Sequence, residues 1–395
     1  MSEEIDEPLT LKDHEPQLWT CINCYCGLCI ESCPAYRELK NEAVSARGIS
    51  QVALGISWDE IDMSELLDDI VYACTGCRWC DWICSQNTPI KIVREGTRKT
   101  KVSGATVSEI LRSMKAEQGT IPPEIRDALN NIVKHGNPYG GPRAQKDKWV
   151  DDLGMKIGGS ETILYVGSTV PYDDRAVRAA EALISVFKKA ELNFRMLGSE
   201  EMDSGAFPRM MGEEGLFFEM MDHNLETFEK YGIKRIICLS PHDYDTFTEY
   251  YYDMDNIEVK HYTEVLWEMI DSGKIEFNNE FDQRVTYHDP CYLGRRSEIY
   301  DAPRKILQSI PKLDFVEMYF TKENAHCCGG GGTGLWLDLP KINMDMTRSD
   351  EAKEKDVDYL AVACPICLQM LDSAMKSKDY EIEVRDIAEI VEKAM

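Results

Sequence analysis

The chain has 395 residues, enough for two or three compact domains. Lys and Arg number 44 against 70 Asp and Glu, a formal net charge of −26, which argues against a nucleic-acid partner or a basic lipid-binding surface. Hydrophobic residues make up 43 %, which fills ordinary cores and excludes intrinsic disorder, and no apolar run reaches the length of a bilayer span.

The N-terminal stretch MSEEIDEPLTLKDHEP is acidic and has no apolar signal region, so a cytoplasmic location is expected, with docking on the cytoplasmic face of a membrane as an option. In that setting 15 bunched cysteines point to metal ligation rather than disulfides. The first group is CINCYCGLCIESCP, with Cys21, Cys24, Cys26, Cys29 and Cys33. The second is CTGCRWCDWICS, with Cys74, Cys77, Cys80 and Cys84. Its C-x2-C-x2-C-x3-C spacing is that of bacterial ferredoxins, where three thiolates wrap one cubane 4Fe–4S cluster and the fourth reaches the neighbouring one. Ser85 stands where proline usually follows. Zinc also accepts four thiolates, but two such runs on one chain are the two-cluster pattern.

In the first group, Cys29, Cys33 and Pro34 fit the end of the motif, while its first position falls on Asn23, which is no thiolate. The reading is therefore Cys21, Cys24 or Cys26, and Cys29 with Cys84 on one cluster, and Cys33 with Cys74, Cys77 and Cys80 on the other. Trp19, Trp79 and Trp82 flank these cysteines as solvent shields. Residues 35–73 and 90–134 carry helical periodicity, as in ISWDEIDMSELLDDIVYA and ATVSEILRSMKAEQ. Thr106 and Glu109 have capping-box spacing, and Gly119 suits the helix end. The expected first domain is thus helical, residues 1–134. Residues 135–150, rich in Gly, Pro and charge, read as a linker.

Beyond it, strands and helices alternate, which predicts an α/β sheet flanked by helices. TILYVGS, IKRIICLS, RVTYHDP and VDYLAVAC read as strands, DRAVRAAEALISVFKKA and EEGLFFEMMDHNLETFEKYG as helices. ILYVGST aligns with VTYHDPC at an offset of 122, and LSPHDY with ACPICL at 124, so residues 151–280 and 281–395 read as an internal repeat. Only the second copy holds cysteines: 35 residues separate Cys291 from Cys327, and 35 separate Cys328 from Cys364, with Cys367 following. In the first copy Thr169, Asp203, Ser204, Ser240 and Asp243 stand in their places. Cys238, in an apolar run, reads as a buried structural thiol.

Five thiolates from a strand end, a glycine-rich turn and a C-x2-C turn are expected at the carboxyl edge of one sheet, more than a cubane needs. Gly329, Gly330 and Gly331, with Gly332, read as letting backbone approach a bulky inorganic core and donate N–H groups to its sulfurs. His288 and His326 are candidate proton donors to a leaving thiolate or hydrogen-bond partners of cluster sulfur. His242 and His261, in the ligand-free copy, read as structural. No strand is followed by G-x-G-x-x-G, so the chain lacks its own flavin or nicotinamide fingerprint and requires a redox partner.

HDPCYLGR, HCCGGGG and ACPICLQML, behind two helical cluster motifs, resemble the D subunit of archaeal heterodisulfide reductase and its cysteine-rich (CCG-domain) relatives. These include iron–sulfur subunits of glycolate, lactate and anaerobic glycerol-3-phosphate dehydrogenases. The resemblance implies an α plus α/β architecture: a helical two-cluster ferredoxin domain followed by two pseudo-repeated CCG domains. It further implies a noncubane 4Fe–4S cluster on Cys291, Cys327, Cys328, Cys364 and Cys367 that reductively cleaves a small disulfide, fed by the two cubanes. The implied donor is a membrane b-type cytochrome or a flavoprotein. The loss of ligands in the first copy departs from members with two such sites, so cleavage between paired clusters is not expected here.

Overall fold

The computed structural model of the chain describes residues 10–64, 67–84 and 104–395. Two parallel sheets organise the region beyond residue 160. The first contains β1 (Thr162–Tyr165), β2 (Arg235–Cys238) and β3 (Glu258–His261) in that order, and Arg195 bridges Ile163 on the free side of β1. The second contains β4 (Arg284–Tyr287), β5 (Asp314–Phe315), β6 (Tyr359–Val362) and β7 (Glu383–Asp386), in the order β5-β4-β6-β7. In β1, β2, β4 and β6 three of four residues are buried, the signature of parallel strands covered on both faces.

The crossover helices supply that cover. Helix Asp174–Lys189 starts where the Asp173 carboxylate accepts the N–H groups of Arg175 and Ala176 at 3.0 and 2.8 Å. Ala176, Ala180, Leu183 and Phe187 then recur at helical spacing and enter a core shared by both sheets, with Leu164, Ile237, Val285 and Ala361. Ile163, Ile236 and Cys238 face the opposite core with Phe217, Phe228 and Phe247, so Cys238 is a fully buried structural thiol. Leu360 and Val362 of β6 join a third core with Val44, Ala73 and Ile125 of the N-terminal helices. The site lies over this last seam.

Three local expectations are corrected. The periodicity of 56–73 is not one helix: helix Ala46–Ser57 ends, and the N–H groups of Glu60 and Ile61 fold back onto the Gly55 carbonyl at 2.8 and 3.1 Å. Gly55 permits this because a Cβ there would meet Ile61 Cδ1 at 2.6 Å. Thr106 is not a cap, because it lies inside helix Gly104–Glu117; Gly119, in the left-handed region, does end that helix. Within 135–150, residues Ala144–Asp152 form a helix whose Trp149 and Val150 are buried in the shared core. The N-terminal residues 1–9, Ser85 and the 90–103 part of the expected helical stretch lie outside the described residues.

Candidate metal centres

Cys33, Cys74, Cys77 and Cys80 line one small cavity of about 30 Å³, together with Ala46 and Arg78. Cys33 caps helix Pro34–Leu39, Cys74 and Cys77 come from the loop entering helix Trp79–Ile83, where Gly76 and Arg78 adopt positive φ, and Cys80 lies in the first turn of that helix. Burial pushes the Cys33 thiol up to about 12. Four thiols that converge on empty space, with burial favouring their protonated form, fit a group that brings its own positive charge, as iron does. The second group forms around Cys29. Burial and then the neighbouring Cys24, Cys21, Cys26 and Cys84 raise its thiol to about 12. Cys24 and Cys26 stand with their sulfurs 3.8 Å apart, and Cys26 is exposed. The last cysteine of each run therefore lies with the other run.

The five C-terminal cysteines are all buried and unbridged. Cys291 follows β4 and opens a single π-helical turn, Tyr292–Arg296. Cys364 follows β6 as the cap residue of helix Pro365–Ser377, whose first turn holds Cys367. Cys328 Sγ lies 3.3 Å from Cys367 Sγ, and Cys327 Sγ accepts the Gly329 N–H at 3.3 Å and faces Thr75 Oγ1 at 3.4 Å. Burial alone would raise the Cys364 thiol, but hydrogen bonds with Cys367 and His242 hold it at about 5. The donor set, five buried thiols beside an imidazole, fits an iron–sulfur group.

The glycines also pack closely against the rest of the protein. Gly329 does donate to a cysteine sulfur. A Cβ on Gly330 would meet Ile366 Cγ2 at 2.5 Å, and Cβ atoms on Gly331 and Gly332 would meet the Thr75 and Cys74 carbonyl oxygens at 2.5 Å each. These contacts seat the turn on the Cys74–Cys77 loop. Two arginines missed from sequence complete the seam. Arg295 Nε donates to the Cys77 carbonyl at 2.7 Å, and Arg296 Nη1 to the Gly76 carbonyl at 3.3 Å. Their signal was position alone, directly after the HDPCYLG motif.

The histidines part ways. His288 lies with Cys328 and Cys367, their ligand atoms all within 4.8 Å of one another, and its Nδ1 accepts from Arg348 Nε at 3.1 Å. Arginine only donates, so the neutral ring carries its hydrogen on Nε2. His288 is therefore set as a donor of that N–H. His326 is turned away from the cysteines: Nε2 pairs with Arg37 Nη1 at 2.7 Å and Nδ1 lies 3.3 Å from Glu351, between Phe320 and Trp79. It braces the seam. His261 is buried and caps helix Tyr262–Asp271, a structural role. His242, by contrast, reaches Cys364 at 3.8 Å. In the ligand-free half, Ser168 donates to Asp203 at 2.5 Å and Ser204 to Asp243 at 2.6 Å, a closed hydrogen-bonded set.

Comparison with known proteins covers both cysteine regions. Residues 17–88 match the 4Fe-4S dicluster domain family, and residues 285–372 the cysteine-rich domain family CCG. The chain carries a region similar to each of these two domains, and over most of its length it is similar to the D subunit of heterodisulfide reductase. The D subunit of the dihydromethanophenazine:CoB–CoM heterodisulfide reductase of Methanosarcina barkeri is 29 % identical, over 96 % of this chain and 94 % of the relative. EtfAB:quinone oxidoreductase of Syntrophomonas wolfei is 31 % identical over 95 % of this chain and 58 % of the relative. The probable iron–sulfur-binding oxidoreductase FadF of Bacillus subtilis is 30 % identical over 90 % and 52 %. The chain thus spans little more than half the length of the latter two. Among the described residues no helix is long and apolar enough to cross a membrane.

Proposed function

We propose that the chain is the iron–sulfur subunit of a heterodisulfide-reductase-like complex that reduces a small disulfide or, in reverse, oxidises two thiols. Residues 1–134 hold two cubane clusters, 135–150 join the parts, 151–280 are a ligand-free CCG-like copy, and 281–395 hold one noncubane cluster. The repeat is supported by matched strand order: β1 lies between the Arg195 edge segment and β2 as β4 lies between β5 and β6, and β3 and β7 follow at the far edges. The observation that carries the reading is the meeting of Cys291, Cys327, Cys328, Cys364 and Cys367 in a buried site directly against the Thr75–Cys77 loop.

Bound clusters would supply and accept single electrons. The chain's own residues hold them, exclude water by burial, and offer N–H donors from Gly329 and His288. The net change is RSSR′ + 2e⁻ + 2H⁺ → RSH + R′SH, with a b-type cytochrome or a flavoprotein as reductant. A second reading, a relay between a flavoprotein and the quinone pool, is supported by the similarity to EtfAB:quinone oxidoreductase. Three four-iron clusters require about 12 iron atoms per chain, and about eight would remove the third. Oxidation in the presence of a thiol such as coenzyme M is expected to give a thiol-dependent paramagnetic signal that Cys328→Ser abolishes while both cubane signals persist. No such signal with any thiol, alongside reduction of all clusters by a flavoprotein, leaves the relay.

A further inference from the structure

The half of the molecule without cysteine ligands enters the C-terminal centre at one point. His242 lies in the first turn of helix Pro241–Glu249, and its backbone N–H donates to the Ser240 hydroxyl at 3.2 Å. Its ring is buried and stacks on Tyr292, with centroids 3.8 Å apart and planes 29° from parallel. Nδ1 lies 3.8 Å from Cys364 Sγ. The ring therefore meets the cysteine through Nδ1, and Nε2 is the nitrogen on its far side. Nε2 is buried without a hydrogen-bond partner among the described residues, and so is the hydroxyl of Tyr292 beneath it. Two adjacent polar atoms are thus left without a protein partner beside Cys364, on the side of the ring away from its sulfur.

We propose that His242 is a substrate-contacting residue of this centre: Nδ1 holds Cys364 Sγ, and Nε2 hydrogen-bonds the S–H of an external thiol. The proposal rests on the thiol/disulfide reading above and adds to it that the ligand-free half forms one wall of the substrate site. Tyr292 fixes the ring plane, and Ser240 fixes the helix turn from which the ring projects.

The test is a titration of the purified, iron-loaded full chain with 2-mercaptoethanol, followed by electron paramagnetic resonance, with its S-methyl thioether as the control that lacks S–H. His242→Phe keeps the stack and removes both nitrogens. It is expected to retain iron and both cubane signals but to need about tenfold more thiol for the half-maximal response, the loss of one hydrogen bond. His242→Asn keeps an amide toward Cys364 and loses Nε2, so it too is expected to respond weakly; should His242→Phe lose iron, this variant decides. A wild-type titration curve in the deciding variant overturns the role of His242 while the centre stands. Absence of any thiol response in the wild type overturns both.

Discussion

Thr75 Oγ1 lies 3.4 Å from Cys327 Sγ, although 252 residues separate them in the chain. The contact joins the Cys74–Cys77 loop to the C-terminal cysteines, and three arginines hold the loop's carbonyls. Arg112 Nη2 donates to Cys74 O at 2.5 Å, Arg296 to Gly76 O at 3.3 Å and Arg295 to Cys77 O at 2.7 Å. Fixed cations at this loop favour an anionic cluster and hold its ligands still.

The close fit at Gly332 predicts a stability difference between two glycines of equal φ. Gly332 and Gly154 both have φ of +64°, but a Cβ on Gly154 meets nothing within 4 Å. Gly154→Ala is expected to cost about 1–2 kcal/mol from its left-handed conformation alone. Gly332→Ala is expected to cost about 1–3 kcal/mol more, because Cys74 O must move. Urea denaturation of both variants measures the difference, and equal losses would refute the packing role.

Arg296 and Asp245 pair across the two sheet domains at 2.9 Å, with side chains only 1 % and 2 % exposed. Arg296→Met is expected to destabilise by about 3–5 kcal/mol, since it strands a buried carboxylate. The double variant with Asp245→Leu should recover much of that loss. Denaturant midpoints of the single and double variants check it.

The crossing of cysteines between runs predicts which cluster each substitution removes. Cys84→Ser should release the cluster near Cys29 and spare the one lined by Cys74, Cys77 and Cys80. Cys33→Ser should do the reverse. Each is expected to lower iron by about four atoms per chain, with one cubane signal lost and the other retained. Loss of the same signal in both variants would show the ligands uncrossed.

Glu351 supplies a pH signature. Burial alone would raise its pKa from 4.5, but His326 and the Arg348 guanidinium outweigh burial and hold it at about 2. A depressed folded pKa stabilises above 4.5 and is lost as pH falls toward 2. The stability gap between wild type and Glu351→Gln should therefore be full at neutral pH, about 2 kcal/mol once solvent screening is allowed for. It should shrink below pH 4.5 in denaturation series across that range.

Much of this was legible because cysteine spacing and strand periodicity are local. The strands at 162–165, 235–238, 284–287 and 359–362 lie inside the runs that suggested them, and the dicluster and CCG regions coincide with the quoted motifs. What was not legible is non-local. Nothing near Gly331 or Gly332 in the chain says that they rest on Thr75 and Cys74. His326 adjoins Cys327 in sequence yet faces Arg37, whereas His242 touches Cys364 from 122 residues away. At Ile56–Ala73 the apolar period was genuine, but Gly55 let the chain reverse over it, which a periodicity count does not see.

The seating of Gly331 and Gly332 on Thr75 and Cys74 also bears on biogenesis. The ribosome delivers the Cys74–Cys77 loop early, but the turn that packs over it emerges some 250 residues later. A nascent chain halted before that point would present Cys74 and Cys77 without their cover. Under the proposed reading, a product truncated before the carboxyl-terminal fold is expected to retain iron poorly at this loop.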